Sequence, residues 1–365
     1  MTEKKNSLWV VLAVVVLATV VFSACTSAFA AKEIHALRAE QSAKGETKED
    51  GVTIMGQYTI RSTLPISDAY RSGNTSGLDS KEKETLDMAS AVLEEIITDG
   101  MTPYEKERAV YDWMTSKLSY DAGVLQVIPN TTADSDNPYG TLKYHNAICV
   151  GYATTFRLFM QMLDIPCMVV HNGEAFHSWN LVQLDGAWYH VDIYSDQGTG
   201  SYANFNMNDD MAASGHDWDR NFFPAATSLD YHYGYQNRKT VEDVYALPQL
   251  LRQAMENGES SLFLGFPSLD ETGAQVVETL LSTTQVALAE AAEFQTQSMQ
   301  HTWLPVGGGE FVLSVTLEDA GQQGLSPEKL TPETVEKVEQ AVQKAFGVSV
   351  PVQSEAFPGE TEVMG

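Results

Sequence analysis

Two strand-like runs, Phe176 to Leu184 and Ala187 to Ile193, meet at Asp185-Gly186. An Asp-Gly connection of two residues predicts a tight hairpin and fixes its register. This constrains the fold more than any other feature, because the register decides which side chains share a face. It sets His177 opposite Tyr194 and Asp192 opposite Trp179. Alternation along the strands then puts His177 and Asp192 on one face as diagonal neighbours. Such neighbours lie about 7–8 Å apart at Cα, a gap that an imidazole and a carboxylate can close. An acid behind a histidine holds its tautomer and steadies its cation. His190 falls on the same face, where packing accounts for it.

Upstream, a helical pattern starts at Cys149, with Ala153, Phe156 and Met160 on its face, and Pro166 marks its end. A thiol is a useful nucleophile only as a thiolate, and both a helix N-terminus and a protonated histidine stabilise that anion. Backbone amides at the same helix end can also stabilise the oxyanion of acyl transfer. Cys149, His177 and Asp192 are therefore the candidate catalytic residues. The plainer alternatives are a buried cysteine, a structural histidine and a hairpin ion-pair partner. Cys167, in the apolar run Cys167 to Val170, reads as core.

Four local words carry a resemblance. They are Cys149-Val150-Gly151-Tyr152-Ala153 with Phe156, then Ile165-Pro166-Cys167, then His177-Ser178-Trp179-Asn180, then Asp185-Gly186-Ala187-Trp188-Tyr189-His190-Val191-Asp192. In this order they resemble the transglutaminase-like superfamily, among bacterial members grouped with cytokinesis-type domains. The likeness reaches back to Tyr120-Asp121 and forward to Gly215-His216-Asp217-Trp218-Asp219. It implies a papain-like α+β catalytic domain, with Cys149 as nucleophile, His177 as general base and acid, and Asp192 as orienting group. Tyr144 and Trp179 are candidate substrate-contacting residues, and no cofactor is expected. Asn146 stands where a glycine is common, and Asp192-Ile193-Tyr194-Ser195-Asp196 replaces the usual D-x-T-W-D. Both changes bear on the substrate cleft.

The rest of the chain divides by pattern. Lys4 and Lys5 precede an apolar run from Leu8 to Ala24, which predicts an export signal or membrane anchor over residues 1–30. Phe22-Ser23-Ala24-Cys25 resembles a lipobox with Cys25 as the lipid attachment point. Ala28-Phe29-Ala30 offers signal cleavage instead, and an uncleaved anchor is the third option. A polar tether follows over 31–50, and 51–239 is expected to hold the catalytic domain. Within it, helices are expected over Asp79 to Asp99 and from the Thr102…Glu105 capping box to Leu118, with a loop over Pro129 to Pro138. From 240 to 365 the pattern changes. A helix over Thr240 to Glu256 precedes a βαββαβ order: Ser261 to Phe266, Ala274 to Ala292, Met299 to Pro305, Phe311 to Leu317, Pro332 to Phe346 and Val348 to Val352. That order predicts a ferredoxin-like α/β sandwich, without a catalytic constellation of its own.

Composition narrows the function. The chain has three cysteines, Cys25, Cys149 and Cys167, which excludes a disulfide framework. Its net charge of −27 repels nucleic acid, so no nucleic-acid partner is expected. His145, His171 and His216 show no metal spacing with one another, and Asn208-Asp209-Asp210 reads as a solvated loop, so no metal site is expected. The reading is an exported, membrane-tethered enzyme in which the Cys149 thiolate attacks an amide or peptide carbonyl. Resolution by water makes it a peptidase or amidase, and resolution by an amine makes it a transglutaminase. Peptide or protein substrates, including peptidoglycan peptides, follow from the location. A non-catalytic envelope scaffold is the rival from another class.

Overall fold

The computed structural model describes residues 50–121, 134–172, 176–198, 201–291, 297–319 and 330–352. Cys25, the segment 1–30 and the tether up to residue 49 lie outside them. Among the described residues no helix is long and apolar enough to cross a membrane.

The first unit is built on a helix packed against a sheet. Helix Ser80–Ile96 opens with Asp79 and Glu82 as a reciprocal capping box, and Pro103–Lys117 opens in the same way with Thr102 and Glu105. Cys149–Met162 is the central helix, and every one of its residues is buried. It lies on an antiparallel sheet ordered Cys167–His171, Ser178–Leu184, Ala187–Val191, Phe205–Met207. The hairpin pairs Leu184 with Ala187 and Asn180 with Val191, which is the register the Asp185-Gly186 turn predicts. Gly151 has a packing reason at the start of the helix. A Cβ there would lie 2.2 Å from the Ser135 carbonyl oxygen, so only glycine lets the two backbones approach. Helices Leu64–Ser72 and Pro138–Tyr144 were not expected from the pattern. Each is short and carries proline in its first turn.

The second unit departs from the expected sandwich. Its sheet is ordered Gln297–Gly307, Glu310–Asp319, Ser261–Phe266, Lys239–Thr240. The first three follow the expected hairpin and neighbour pairing. The final strand over Val348 to Val352 is not formed. Lys239–Thr240 runs parallel to Ser261–Phe266 and takes that edge, with Val241 N–H donating to Gly265 O at 2.9 Å. Val350 instead buries itself in the core beside Phe346, so apolar content there serves packing and not a ladder. The helix expected from Thr240 begins only at Leu247, because Pro248 suits a first turn and not a helix interior. The two units have separate apolar clusters, but a third joins them. Trp179, Leu181, Trp188 and Trp218 share it with Phe263, Leu304, Val306 and Val312.

Glu107, on helix Pro103–Lys117, is wholly buried. Its Oε2 accepts from Asn206 Nδ2 at 3.0 Å, while Oε1 meets no donor among the described residues. Burial outweighs the Asn206 bond and pushes its carboxyl up from 4.5 to about 8. A raised carboxyl contributes stability that is fully present below the unfolded value and lost as pH rises through the folded one. The protein should therefore lose on the order of 4 kcal/mol from this group between about pH 5 and pH 9. Glu107→Gln should lack that loss. Urea unfolding midpoints at the two pH values decide it, and equal alkaline losses in both proteins would contradict the assignment.

Candidate active site

Neither candidate on the hairpin sits in the ladder itself. Pairing between the two strands stops at Asn180 and Val191, so the expected pairs of His177 with Tyr194 and Asp192 with Trp179 do not form. The reason is local. Asn172 Oδ1 accepts the backbone N–H groups of Phe176 and His177 and bends that strand's entry. Asp192 donates its N–H to Asn204 O at 2.9 Å and caps the short helix Ile193–Asp196. The two side chains still meet: His177 Nε2 donates to Asp192 Oδ2 at 2.8 Å.

Asp192 is 1% exposed and densely solvated by protein. Its Oδ1 accepts from Ser195 N, and its Oδ2 accepts from Ser195 Oγ at 2.6 Å as well as from His177. Burial alone would raise the carboxyl, but His177 and then His216 hold it well below the usual carboxylate range. For His177, burial alone would lower the imidazolium. The Asp192 charge and hydrogen bond, followed by the hydrogen bond to Cys149, outweigh that and raise it to about 10. With Nε2 committed to Asp192, the nitrogen left for Cys149 is Nδ1. Cys149 is the first residue of its helix and only 2% exposed, packed in a cluster with Ile148, Val150, Ala153 and Val169. The three residues thus form one connected series of thiol, imidazole and carboxylate.

The remaining sequence candidates fall in different places. Trp179 is buried, with its ring stacked on His177 at 5.7 Å between centroids, so it supports the histidine and does not line an open cleft. Its Nε1–H donates to Nδ1 of His190, whose Nε2 donates to Asp209 Oδ1 at 3.0 Å. His190 therefore has two polar partners in addition to packing. Tyr144 ends helix Pro138–Tyr144 and is 48% exposed. Cys167 is buried, with Asn180 Nδ2 at 3.6 Å from its sulfur, and Cys149 and Cys167 are separate thiols. Asn208-Asp209-Asp210 is not a solvated loop. Asn208 is the buried cap of helix Asp209–Ala212 and donates to Val306 O of the second unit.

Sequence reasoning missed His216. Its Nε2 donates to the same Asp192 Oδ2 at 2.8 Å. The word around it was visible, but only tertiary structure brings it 24 residues back onto Asp192. The donor atoms of His177, Asp192 and His216 lie within 4.8 Å of one another, a set that a divalent transition ion could use. Both imidazoles, however, already use Nε2 to bond Asp192 at hydrogen-bond length, which accounts for the cluster without an ion.

Residues 90–193 match the family described as the Transglutaminase-like superfamily. Among individual proteins, it is 28% identical over 139 residues to a human protein named Kyphoscoliosis peptidase, covering 32% of this chain and 21% of that one. The mouse protein of the same name is 24% identical over 115 residues, covering 28% and 17%. The chain thus spans about a fifth of the length of these curated relatives. A solved structure titled "Crystal structure of a TGase" aligns at 19% identity and a TM-score of 0.28, over 34% of this chain and 36% of that one.

Proposed function

We propose that the chain is an exported cysteine-dependent acyl-transfer enzyme that hydrolyses amide or peptide bonds. The observation that carries this is the connected series Cys149, His177, Asp192, with His177 held as its cation through neutral pH. That cation is both counter-ion to a Cys149 thiolate and a ready proton donor. Sγ attacks the carbonyl carbon, and the helix-start amides receive the oxyanion. The C–N bond breaks as His177 gives its Nδ1 proton to the leaving amine, leaving a thioester and a neutral imidazole. Water then attacks the thioester, with His177 taking its proton, and Cys149 departs as thiolate. Asp192 keeps its charge throughout and orients the ring.

The peptidase name of the matched relatives favours hydrolysis. The apolar run before Cys25 supports export, by lipid attachment at Cys25 or by an uncleaved anchor. That location makes peptidoglycan peptides and surface proteins the substrates to try first. Mass spectrometry of isolated cell-wall peptides, incubated with wild type or Cys149→Ala, is the test. Wild type should release hydrolysed fragments that the variant does not. Products joined through an amine would move the reading to transamidation, and identical spectra across peptide and protein substrates would sink it.

A further inference from the structure

We propose that His216 is a positioning residue of this site, a second histidine that clamps the Asp192 carboxylate so that Oδ2 faces His177. The inference rests on the reading of Cys149, His177 and Asp192 as the reacting group. Nothing in that mechanism requires a second imidazole, yet His216 spends its Nε2–H on the oxygen that His177 uses, at the same 2.8 Å. Without it, Oδ2 keeps only Ser195 Oγ beside His177, and one of the three contacts that fix its direction is lost.

The ring of His216 is itself fixed on every side. Its Nδ1 lies 3.2 Å from Ala212 O, so both ring nitrogens face oxygen atoms. Its backbone N–H bonds the same carbonyl at 2.8 Å, and its ring packs against Trp179 at a 55° tilt with centroids 4.7 Å apart. Ala212 belongs to the short helix Asp209–Ala212, and that helix is anchored from two directions. Asn208 Nδ2 donates to Val306 O in the second unit's hairpin, and Asp209 Oδ1 accepts from buried His190. A path of direct bonds therefore runs from the second unit to Asp192.

The test compares wild type, His177→Ala, His216→Ala and His216→Gln by iodoacetamide labelling of Cys149 near neutral pH. It is paired with proton NMR of the imidazole N–H region. The His177 Nε2–H resonance is identified by its disappearance in His177→Ala. His216→Ala should slow labelling about tenfold, the scale of one lost bond to a charged group, and should displace that resonance. His216→Gln places an amide N–H near the same point, so the resonance should stay and the rate should return to within about threefold of wild type. Should His216→Ala unfold, His216→Met fills similar volume without a donor and replaces it. Unchanged rate and resonance in the donor-free variant would overturn the proposal, as would a loss that glutamine does not restore. A wild-type rate that His177→Ala leaves untouched marks a different failure, that of the underlying reading of the site.

Discussion

Asp192→Asn is expected to lower turnover by roughly 10⁴-fold, the scale seen when the acid of a comparable triad is made neutral. Asparagine keeps the shape but offers only one carbonyl oxygen where the carboxylate now accepts from His177, His216 and both Ser195 groups. Its amide NH₂ would face one of those donors. The imidazolium of His177 would lose the charge that raises it to about 10, and burial, the opposing influence, would then favour the neutral ring. Proton delivery to the leaving amine fails first. Labelling of Cys149 should suffer less than turnover, because a nearby histidine still assists the thiol. Removing one member of a buried pair also costs roughly 3–5 kcal/mol of stability, so melting curves must accompany the kinetics. The sign with pH is fixed as well. A depressed carboxyl contributes stability present above its unfolded value of 3.8 and lost as pH falls, and the asparagine variant should lack that acid-side loss. Turnover within tenfold of wild type in a folded variant would remove Asp192 from the mechanism.

Much of the site was legible because a short turn dictates it. Asp185-Gly186 fixes the hairpin register locally, and from the register His177 and Asp192 had to lie close together. Cys149 was legible for a similar reason, as the first residue of an apolar helical pattern. The details that failed are those decided by non-local partners. The ladder stops short of both residues because Asn172 and Asn204 bond their backbones, and neither bond has a sequence period. His216 was invisible as a site residue for the same reason. In the second unit, Val348 to Val352 has good strand composition, yet the edge it would occupy is taken by Lys239–Thr240. Propensity could not arbitrate between two claimants for one edge. The short Pro138–Tyr144 helix follows a polar stretch that reads as loop, and Asn137 capping is what commits it.

In the proposed mechanism His177 activates Cys149 as the nucleophile, and labelling kinetics test this most directly. An unassisted thiol is only a few per cent thiolate at neutral pH, whereas an ion-paired one is largely ionised. Peptide mass spectrometry after timed iodoacetamide exposure reads Cys149 and Cys167 in the same sample. Both are buried, at 2% and 4% exposure, so Cys167 controls for access. Wild type should label Cys149 faster than Cys167, and His177→Ala should slow Cys149 by about 10–100-fold while leaving Cys167 unchanged. Equal labelling of the two cysteines, with no response of Cys149 to His177→Ala in a folded protein, would leave a transglutaminase-like fold without its chemistry.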